Sequence, residues 1–156
     1  MAETIEKLLG KKTSTVADAL QGTLYDLLAL GKVLKQAHWN VKGRFFKPVH
    51  EHLDEIYADV ETATDEVAER LAALGVSPSG QAPEVSKNAT VKSIPQGFLR
   101  DEEVVELITD RVHTTCQTMR DRMASTEDPD PVTADLFHAV LAKFEKHLWM
   151  LRSQLE

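Results

Sequence analysis

The sequence predicts an all-α protein, folded as a four-helix bundle with one long connection in its middle. Apolar residues recur at steps of three or four in four separate stretches, and no stretch shows the two-residue alternation of a strand. About 25 residues rich in Ser, Pro, Gly and Ala divide the second stretch from the third, which is too long for a tight hairpin. A long central crossover is what an up, down, down, up bundle requires.

The first two helices follow from the apolar spacing and from the residues that end it. The first stretch keeps its period from Val16 to Leu34, and Gly43 is a plausible stop. The second keeps the same period from Val49 to Leu74. Pro48 suits the first turn of that helix, and Gly75 marks its end.

The second half of the chain predicts two more helices and a structured crossover. The third helix carries the apolar residues from Val105 to Met123, and the fourth those from Phe137 to Leu155, after the breaker EDPDP. Within the crossover, Val91 to Phe98 is predicted to form a short extra helix or a docked loop. We expect one domain over residues 1–156, with residues 1–12 as a mobile N-terminal tail.

Composition excludes several kinds of protein. The chain is 42% apolar and 28% charged, and it has neither a membrane-spanning run nor the apolar core of a signal peptide. A cytoplasmic protein is therefore expected. Cys116 is the only cysteine, so there is no internal disulfide or thiolate zinc cluster, and its apolar position indicates inert core. The net charge of −7 argues against a broad nucleic-acid surface and suits attraction of cations.

Two pairs of potential metal ligands share one face of the second helix. His50 and Asp54 are four residues apart, and so are Asp65 and Glu69. The eleven residues from Asp54 to Asp65 span about 16 Å and return to within about 20° of the same direction. That distance is too long for one metal ion. Two antiparallel copies of the helix could close a site that one chain cannot.

The residue types in these pairs suit a transition metal. Imidazole with carboxylate favours iron, manganese or zinc, although a solvated polar face is the ordinary explanation of such a stripe. His38, four residues after Leu34, is a further candidate ligand, or else a satisfied core histidine. An internal di-iron site of the Glu-x-x-His kind is not expected, because that motif does not occur.

The remaining histidines have no carboxylate partner at a convincing spacing. They are interpreted as surface or packing residues: His52, His113, His138 and His147.

Several strings resemble one known family. HWNVKG, VHEHLDE and DEVAERLAALG, together with the C-terminal TADLF and EKHLWMLRSQLE, look like the Dps proteins (DNA-binding protein from starved cells) of the ferritin-like superfamily. The resemblance covers nearly the whole chain. It implies a ferritin-like four-helix bundle, with a short extra helix in the crossover between helices 2 and 3, assembled as a hollow homododecamer.

The resemblance also implies a reaction. Ferroxidase sites would lie at twofold interfaces, with His38, His50 and Asp54 from one subunit and Asp65 and Glu69 from its mate. Fe(II) would be oxidised there, preferably by hydrogen peroxide, and ferric mineral stored in the cavity. Zinc or manganese could occupy the same ligands.

Other roles implied by the resemblance concern the surroundings of the site and the entry of iron. Trp39 matches a tryptophan that would quench radicals, although it could simply pack, and Glu61 would lie near the interface. Acidic pores at threefold axes would use residues between the last two helices, although an exposed acidic turn is the plainer explanation. The candidates are Asp121, Glu127, Asp128 and Asp130.

Two alternatives remain open. One is a nucleoid-associated DNA-protection protein with weak or vestigial metal chemistry. Its basic tail would be weak, because Lys7, Lys11 and Lys12 are diluted by Glu3 and Glu6, although many copies could act together. The other is a monomeric helical bundle without metal.

Overall fold

The computed structural model describes residues 9–156, and this part of the chain is almost entirely helical. A 3₁₀ turn at Gly10–Lys12 precedes five α-helices: α1 (Thr13–Asn40), α2 (Phe46–Ala73), α3 (Ala82–Asn88), α4 (Asp101–Ala124) and α5 (Pro131–Arg152). Two short strands, β1 (Val41–Lys42) and β2 (Leu99–Arg100), pair in parallel, with Val41 opposite Leu99.

The order of the long helices is up, down, down, up. The connection between α1 and α2 is short, so α2 runs back along α1. The parallel pairing of β1 with β2 places the start of α4 beside the end of α1. The crossover therefore spans the length of the bundle, and α4 runs in the same direction as α2. The predicted all-α bundle with a long crossover is confirmed.

The apolar stripes of the four long helices meet in one core. α1 packs on α2 and on α4, while α5 packs on α4 and on α2. Leu20, Leu27 and Leu34 on α1 have no exposed surface, and Phe137 on α5 is equally buried. Burial of these stripes drives the helices together, because each buried Leu or Phe contributes about 1.5–3 kcal/mol.

The short crossover helix exists, but it does not lie at residues 91–98, where the sequence allowed either a helix or a docked loop. It spans Ala82–Asn88, with a proline in its first turn, and packs against α1. Residues 91–98 instead form a docked loop, in which Val91 and Ile94 are buried. Pro95 and Gly97 oppose helix there, and Gly97 has a positive φ of 93°.

Glycine ends α2 as the sequence predicts. Gly75 adopts a φ of 78°, and the Val76 amide donates to the carbonyl of Leu71 at 3.0 Å. This left-handed cap satisfies carbonyls that the last helical turn leaves open.

A buried carboxylate fastens the crossover to the bundle. Asp26 on α1 has no exposed surface and accepts hydrogen bonds from the Thr90 amide at 2.6 Å and from the Thr90 hydroxyl at 2.9 Å. Arg122 on α4 reaches the same carboxylate at 2.6 Å. One side chain thus joins two long helices to the loop that follows α3.

The predicted N-terminal tail lies only partly within the described residues. Residues 1–8 of the expected tail lie outside the described residues, whereas Gly10–Lys12 form a turn and Lys12 pairs with Asp128 at 2.7 Å. No helix in the described part is long and apolar enough to cross a membrane. The cytoplasmic location stays a prediction.

Candidate metal centre

Four of the five predicted ligands lie on one unbroken helix. His50, Asp54, Asp65 and Glu69 all belong to α2. The three carboxylates are exposed, and His50 is half-buried. Eleven residues separate Asp54 from Asp65, so about 16 Å of helix lies between the two pairs. The structure therefore keeps the pairs apart within one chain.

The structure brings the fifth candidate, His38, to the first pair. His38 lies in the last turn of α1 and stacks on His50, with ring centroids 3.6 Å apart. The Nδ1 atom of each ring lies 2.9 Å from the backbone oxygen of the other residue. Because a carbonyl oxygen only accepts, each Nδ1 donates and carries a proton. In the neutral rings both Nε2 atoms then keep a lone pair for a metal ion.

Asp54 completes this cluster as a carboxylate. Its Oδ1 atom lies 2.5 Å from Lys35 Nζ and 3.8 Å from His38 Nδ1. The hydrogen bond from Lys35 is the main cause that lowers the pKa of Asp54, assisted by the charges of His38, Lys35 and His50 against a smaller effect of desolvation. Asp54 is therefore ionised at neutral pH.

One chain by itself holds no complete metal site among its described residues. Among residues 9–156, no group of three or more His, Cys, Asp or Glu side chains is placed so that it could hold a metal ion. His38, His50 and Asp54 are neighbours that present two imidazole nitrogens and one carboxylate. Asp65 and Glu69 present a second, separate pair of oxygen donors on the same helix.

Comparison with known proteins identifies the family. The model of the ferritin-like domain matches residues 17–156. Two relatives from Deinococcus radiodurans, DNA protection during starvation proteins 2 and 1, are 38% and 36% identical over 138 and 148 residues. The matches cover 88% and 94% of this chain and 57% and 71% of the relatives, so the chain spans little more than half of the first. The chain belongs to the Dps family of ferritin-like proteins.

Solved Dps structures have the same fold. The crystal structure of Dps92 from Deinococcus radiodurans has a TM-score of 0.91 at 36% identity, covering 94% of this chain and 88% of that chain. A Dps protein from Vibrio cholerae O1, described as a member of a broad superfamily of ferritin-like diiron-carboxylate proteins, has a TM-score of 0.87 at 25% identity, covering 93% and 91%. The predicted family and ferritin-like fold class are confirmed.

Beside the candidate ligands lies an exposed hollow. Trp39 is 67% exposed, and it lines a hollow of 420 Å³ with Lys35, Tyr57 and Glu61. The Tyr57 hydroxyl donates to Glu61 at 3.4 Å. The hollow borders the stripe of His50 and Asp54, so a partner that covered the ligands would also cover Trp39 and Glu61.

Three of the four pore candidates are exposed near the junction of α4 with α5. Asp121, Glu127 and Asp128 reach the surface. Glu127 is bound by His138 at 2.7 Å, and Lys12 accounts for the lowered pKa of Asp128 through a hydrogen bond.

Asp130 is placed differently. It is 3% exposed, and its carboxylate accepts hydrogen bonds from Arg70 at 2.8 Å and from the Thr133 hydroxyl. Burial by itself would raise the pKa of Asp130, but these hydrogen bonds and the Arg70 charge together lower it. This burial counts against a pore-lining role, because the carboxylate already holds α2 to the start of α5.

The interpretation of the other histidines needs correction at His138, which pairs with Glu127 at 2.7 Å, and at His147. His147 is 6% exposed and does have a carboxylate partner, since its Nε2 lies 2.8 Å from Asp59 Oδ2. Its other ring nitrogen faces His52, whose pKa is lowered by burial and then by the charge of His147. Spacing along the chain could not reveal this cluster, because 88 residues separate His147 from Asp59.

Cys116 is buried core, as predicted. It is 4% exposed, and burial is the main cause that raises its pKa to about 12. The thiolate form is therefore scarce at neutral pH.

Proposed function

We propose that this protein is a ferroxidase and iron-storage protein that oxidises Fe(II) at sites shared between two subunits. The observation that carries the proposal is the separation of two ligand pairs on one face of one helix. His50 and Asp54, with His38, form one half of a site, and Asp65 with Glu69 form the other. A twofold axis that sets two α2 helices antiparallel would place the His50 half of one subunit against the Asp65 half of the other. The reverse contact would form as well, because in a twofold interface each contact between two residues occurs twice.

The donor set suits this reaction. Neutral imidazole and carboxylate ligands hold Fe(II), while anionic oxygens stabilise the more highly charged Fe(III) product more strongly. One hydrogen peroxide takes one electron from each of two Fe(II) ions and, with two protons, becomes two waters. The reaction thus consumes both the ferrous iron and the peroxide from which hydroxyl radicals form. Zinc or manganese would compete for the same ligands.

The remaining predicted roles fit around this site. Trp39 is proposed to intercept radicals, because its exposed ring is next in sequence to His38 and borders the ligand stripe. Asp121, Glu127 and Asp128 are proposed to attract iron at pores of a hollow homododecamer. Ferric mineral would be stored in the cavity of that assembly.

The assembly has a direct test. Sizing by light scattering should give a mass near twelve times the 17.4 kDa of one chain. A mass of one chain would support the monomeric bundle and would refute shared sites.

The division of ligands gives a sharper test. One variant carries His50→Ala with Asp54→Ala, and the other carries Asp65→Ala with Glu69→Ala. Each should assemble but lose peroxide-dependent oxidation of Fe(II), followed by ferric absorbance. When one subunit of each variant forms a twofold pair, one of the two shared sites contains both intact halves and the other contains neither. Equal co-assembly should therefore restore about one quarter of the wild-type rate, since half of the pairs are mixed and each has one intact site.

A control separates ligand loss from loss of surface charge. Glu51→Ala with Glu66→Ala removes two exposed carboxylates from the same helix and should leave the rate unchanged. Oxidation that persists in the His50 and Asp54 variant would show that these residues are not ligands. Co-assembled particles that recover no activity would show that each site lies within one subunit.

DNA protection is the second candidate function, and the names of the relatives favour it. The net charge of −7 opposes it, and Lys12 is already paired with Asp128. A gel shift at physiological salt should compare wild type with a variant in which Lys7, Lys11 and Lys12 become Gln. Retardation that is lost in the variant would support DNA binding through the tail, whereas free DNA in both lanes would dismiss it.

A further inference from the structure

A pair of histidines joins α2 to α5 away from the proposed ferroxidase ligands. The Nε2 atom of His52 lies 3.3 Å from the Nδ1 atom of His147. His147 is 6% exposed, and His52 is half-buried. Two residues of helix rotate the chain by about 200°, so His52 points away from the stripe that holds His50 and Asp54. The proposed iron oxidation therefore makes no use of this pair.

The outer nitrogen of each ring is held by a polar side chain. His147 Nε2 lies 2.8 Å from Asp59 Oδ2 and must donate to that carboxylate, so Nδ1 keeps its lone pair in the neutral ring. The Gln154 amide lies 3.2 Å from His52 Nδ1. Rotation of this amide by half a turn exchanges its nitrogen and oxygen, so it can either donate a hydrogen bond to Nδ1 or accept one from a protonated Nδ1.

The two inner nitrogens have the spacing of ligands to one metal ion. Bonds of about 2.0–2.1 Å to a tetrahedral Zn²⁺ place two imidazole nitrogens about 3.3–3.4 Å apart. A carboxylate behind a ligating histidine is the usual support for such a ligand, because it fixes the tautomer and makes the ring a stronger donor. Asp59 already stands in that position behind His147.

We propose that His52 and His147 bind a divalent transition-metal ion of the zinc class, one per chain, at a site separate from the ferroxidase ligands. Without metal, His52 Nε2–H donates to His147 Nδ1, and the pair is a satisfied hydrogen bond. The metal ion replaces that hydrogen bond. The proton of His52 then resides on Nδ1, which donates a hydrogen bond to the oxygen of the turned Gln154 amide, so that metal binding releases no proton.

The surroundings leave the other coordination positions accessible. A cavity of 740 Å³ is lined by His52, Glu55 and Gln154 but not by His147, so the ion and its water ligands would approach from the His52 side. Glu55 is exposed and lies three residues after His52, on the same side of α2, where it can supply an oxygen donor. No third histidine or acid of residues 9–156 is placed as a ligand already, so the site is open to solvent or substrate oxygens.

Binding of cobalt(II) tests this site without iron chemistry. Protein free of any affinity tag carries His50→Ala with Asp54→Ala, so that the proposed ferroxidase ligands are disabled. Titration with Co²⁺ should produce the visible bands of cobalt bound to imidazole, saturating at one ion per chain, and Zn²⁺ should abolish them. Adding Asp59→Asn should weaken cobalt binding about 10–100-fold without removing the site.

Removal of the ligands provides the decisive comparison. In the same background, His52→Gln should eliminate the bands, and this half-buried position tolerates the change better than His147 does. His113→Gln is the matched control, because it removes one histidine from α4 and should leave the titration unchanged. Circular dichroism and sizing confirm that each variant is folded. Absence of the bands, or bands that survive His52→Gln, would overturn the proposal, whatever the outcome of the oxidation assays.

Discussion

Asp26 and Asp54 have similar ion-pair partners but differ in how much of each side chain is exposed. Each lies on a long helix and holds a cationic side chain, Arg122 at 2.6 Å and Lys35 at 2.5 Å. The Asp26 side chain has no exposed surface, whereas that of Asp54 is 51% exposed. The Asp26 carboxylate accepts hydrogen bonds from Arg122 on α4 and from Thr90 in the crossover, all within its own chain. Asp54 is open to solvent and so remains available to a metal ion and a second subunit.

The comparison separates carboxylates that hold this bundle together from carboxylates that are left open to solvent. A buried charge must be fully paired within the chain, because an unpaired one would cost several kcal/mol. An exposed charge has no such requirement, so it is free for the metal binding that we propose. Asp130 belongs with Asp26, and Asp65 and Glu69 belong with Asp54.

The largest expected effect on stability comes from Asp26→Ala. This change leaves Arg122 partly buried without its partner and should lower the free energy of unfolding by about 3–5 kcal/mol. Unfolding in guanidinium chloride at pH 7 measures it. Asp54→Ala, the matched change at the exposed aspartate, should leave the denaturation midpoint within error. Equal losses in the two variants would erase the distinction between the aspartates.

Asp130→Asn should have an intermediate effect that depends on pH. The pKa of Asp130 is lowered in the folded state, so its ionisation contributes stability above the unfolded-state pKa of about 3.9. That contribution disappears as the pH falls through the lower folded-state pKa. The variant should lose about 1–3 kcal/mol at pH 7 through the weakened contact with Arg70.

Unfolding of wild type and of Asp130→Asn at several pH values between neutrality and pH 3 checks this prediction. The difference between the two proteins should shrink towards the acid end. A constant difference would mean that the Asp130 charge contributes nothing to folding.

Lys35→Gln should change metal binding more than stability. Lys35 occupies one oxygen of Asp54 and lowers the pKa of Asp54. Removing this competing cation should tighten binding of Co²⁺ at the proposed ferroxidase ligands several-fold at neutral pH, because a positive charge close to the proposed site is lost. Calorimetric titration measures the change, with Lys32→Gln, an exposed lysine one turn earlier, as the control. Weaker binding in Lys35→Gln would show that Lys35 assists the site.

The smallest effect is expected at Cys116. Burial raises the pKa of its thiol to about 12, so alkylation by iodoacetamide at pH 8 should be negligible in the folded protein and rapid after unfolding. In Asp26→Ala the same reaction should become faster, because unfolding is more frequent. Mass spectrometry over time gives the rates. Rapid labelling of folded wild type would show that this part of the core opens freely.

Local geometry made much of the fold predictable, together with the alignment of four candidate ligands on α2. The period of three or four fixed the four long helices, and Gly75 marked the end of α2. The short crossover helix was expected in the right connection but too late in the chain. Val91 and Ile94 are apolar because they dock a loop onto the bundle, and they do not belong to the buried stripe of a helix. Periodicity does not distinguish these two uses of an apolar residue.

The sequence by itself determined the register of His50, Asp54, Asp65 and Glu69, because residues on one helix keep a fixed rise and rotation whatever packs around them. Only the tertiary structure decided that His38 stacks on His50, that Asp26 closes on Arg122, and that His147 meets both His52 and Asp59. These contacts join residues far apart in the chain. They are set by how the helices pack, on which the spacing of residues within each helix carries no information.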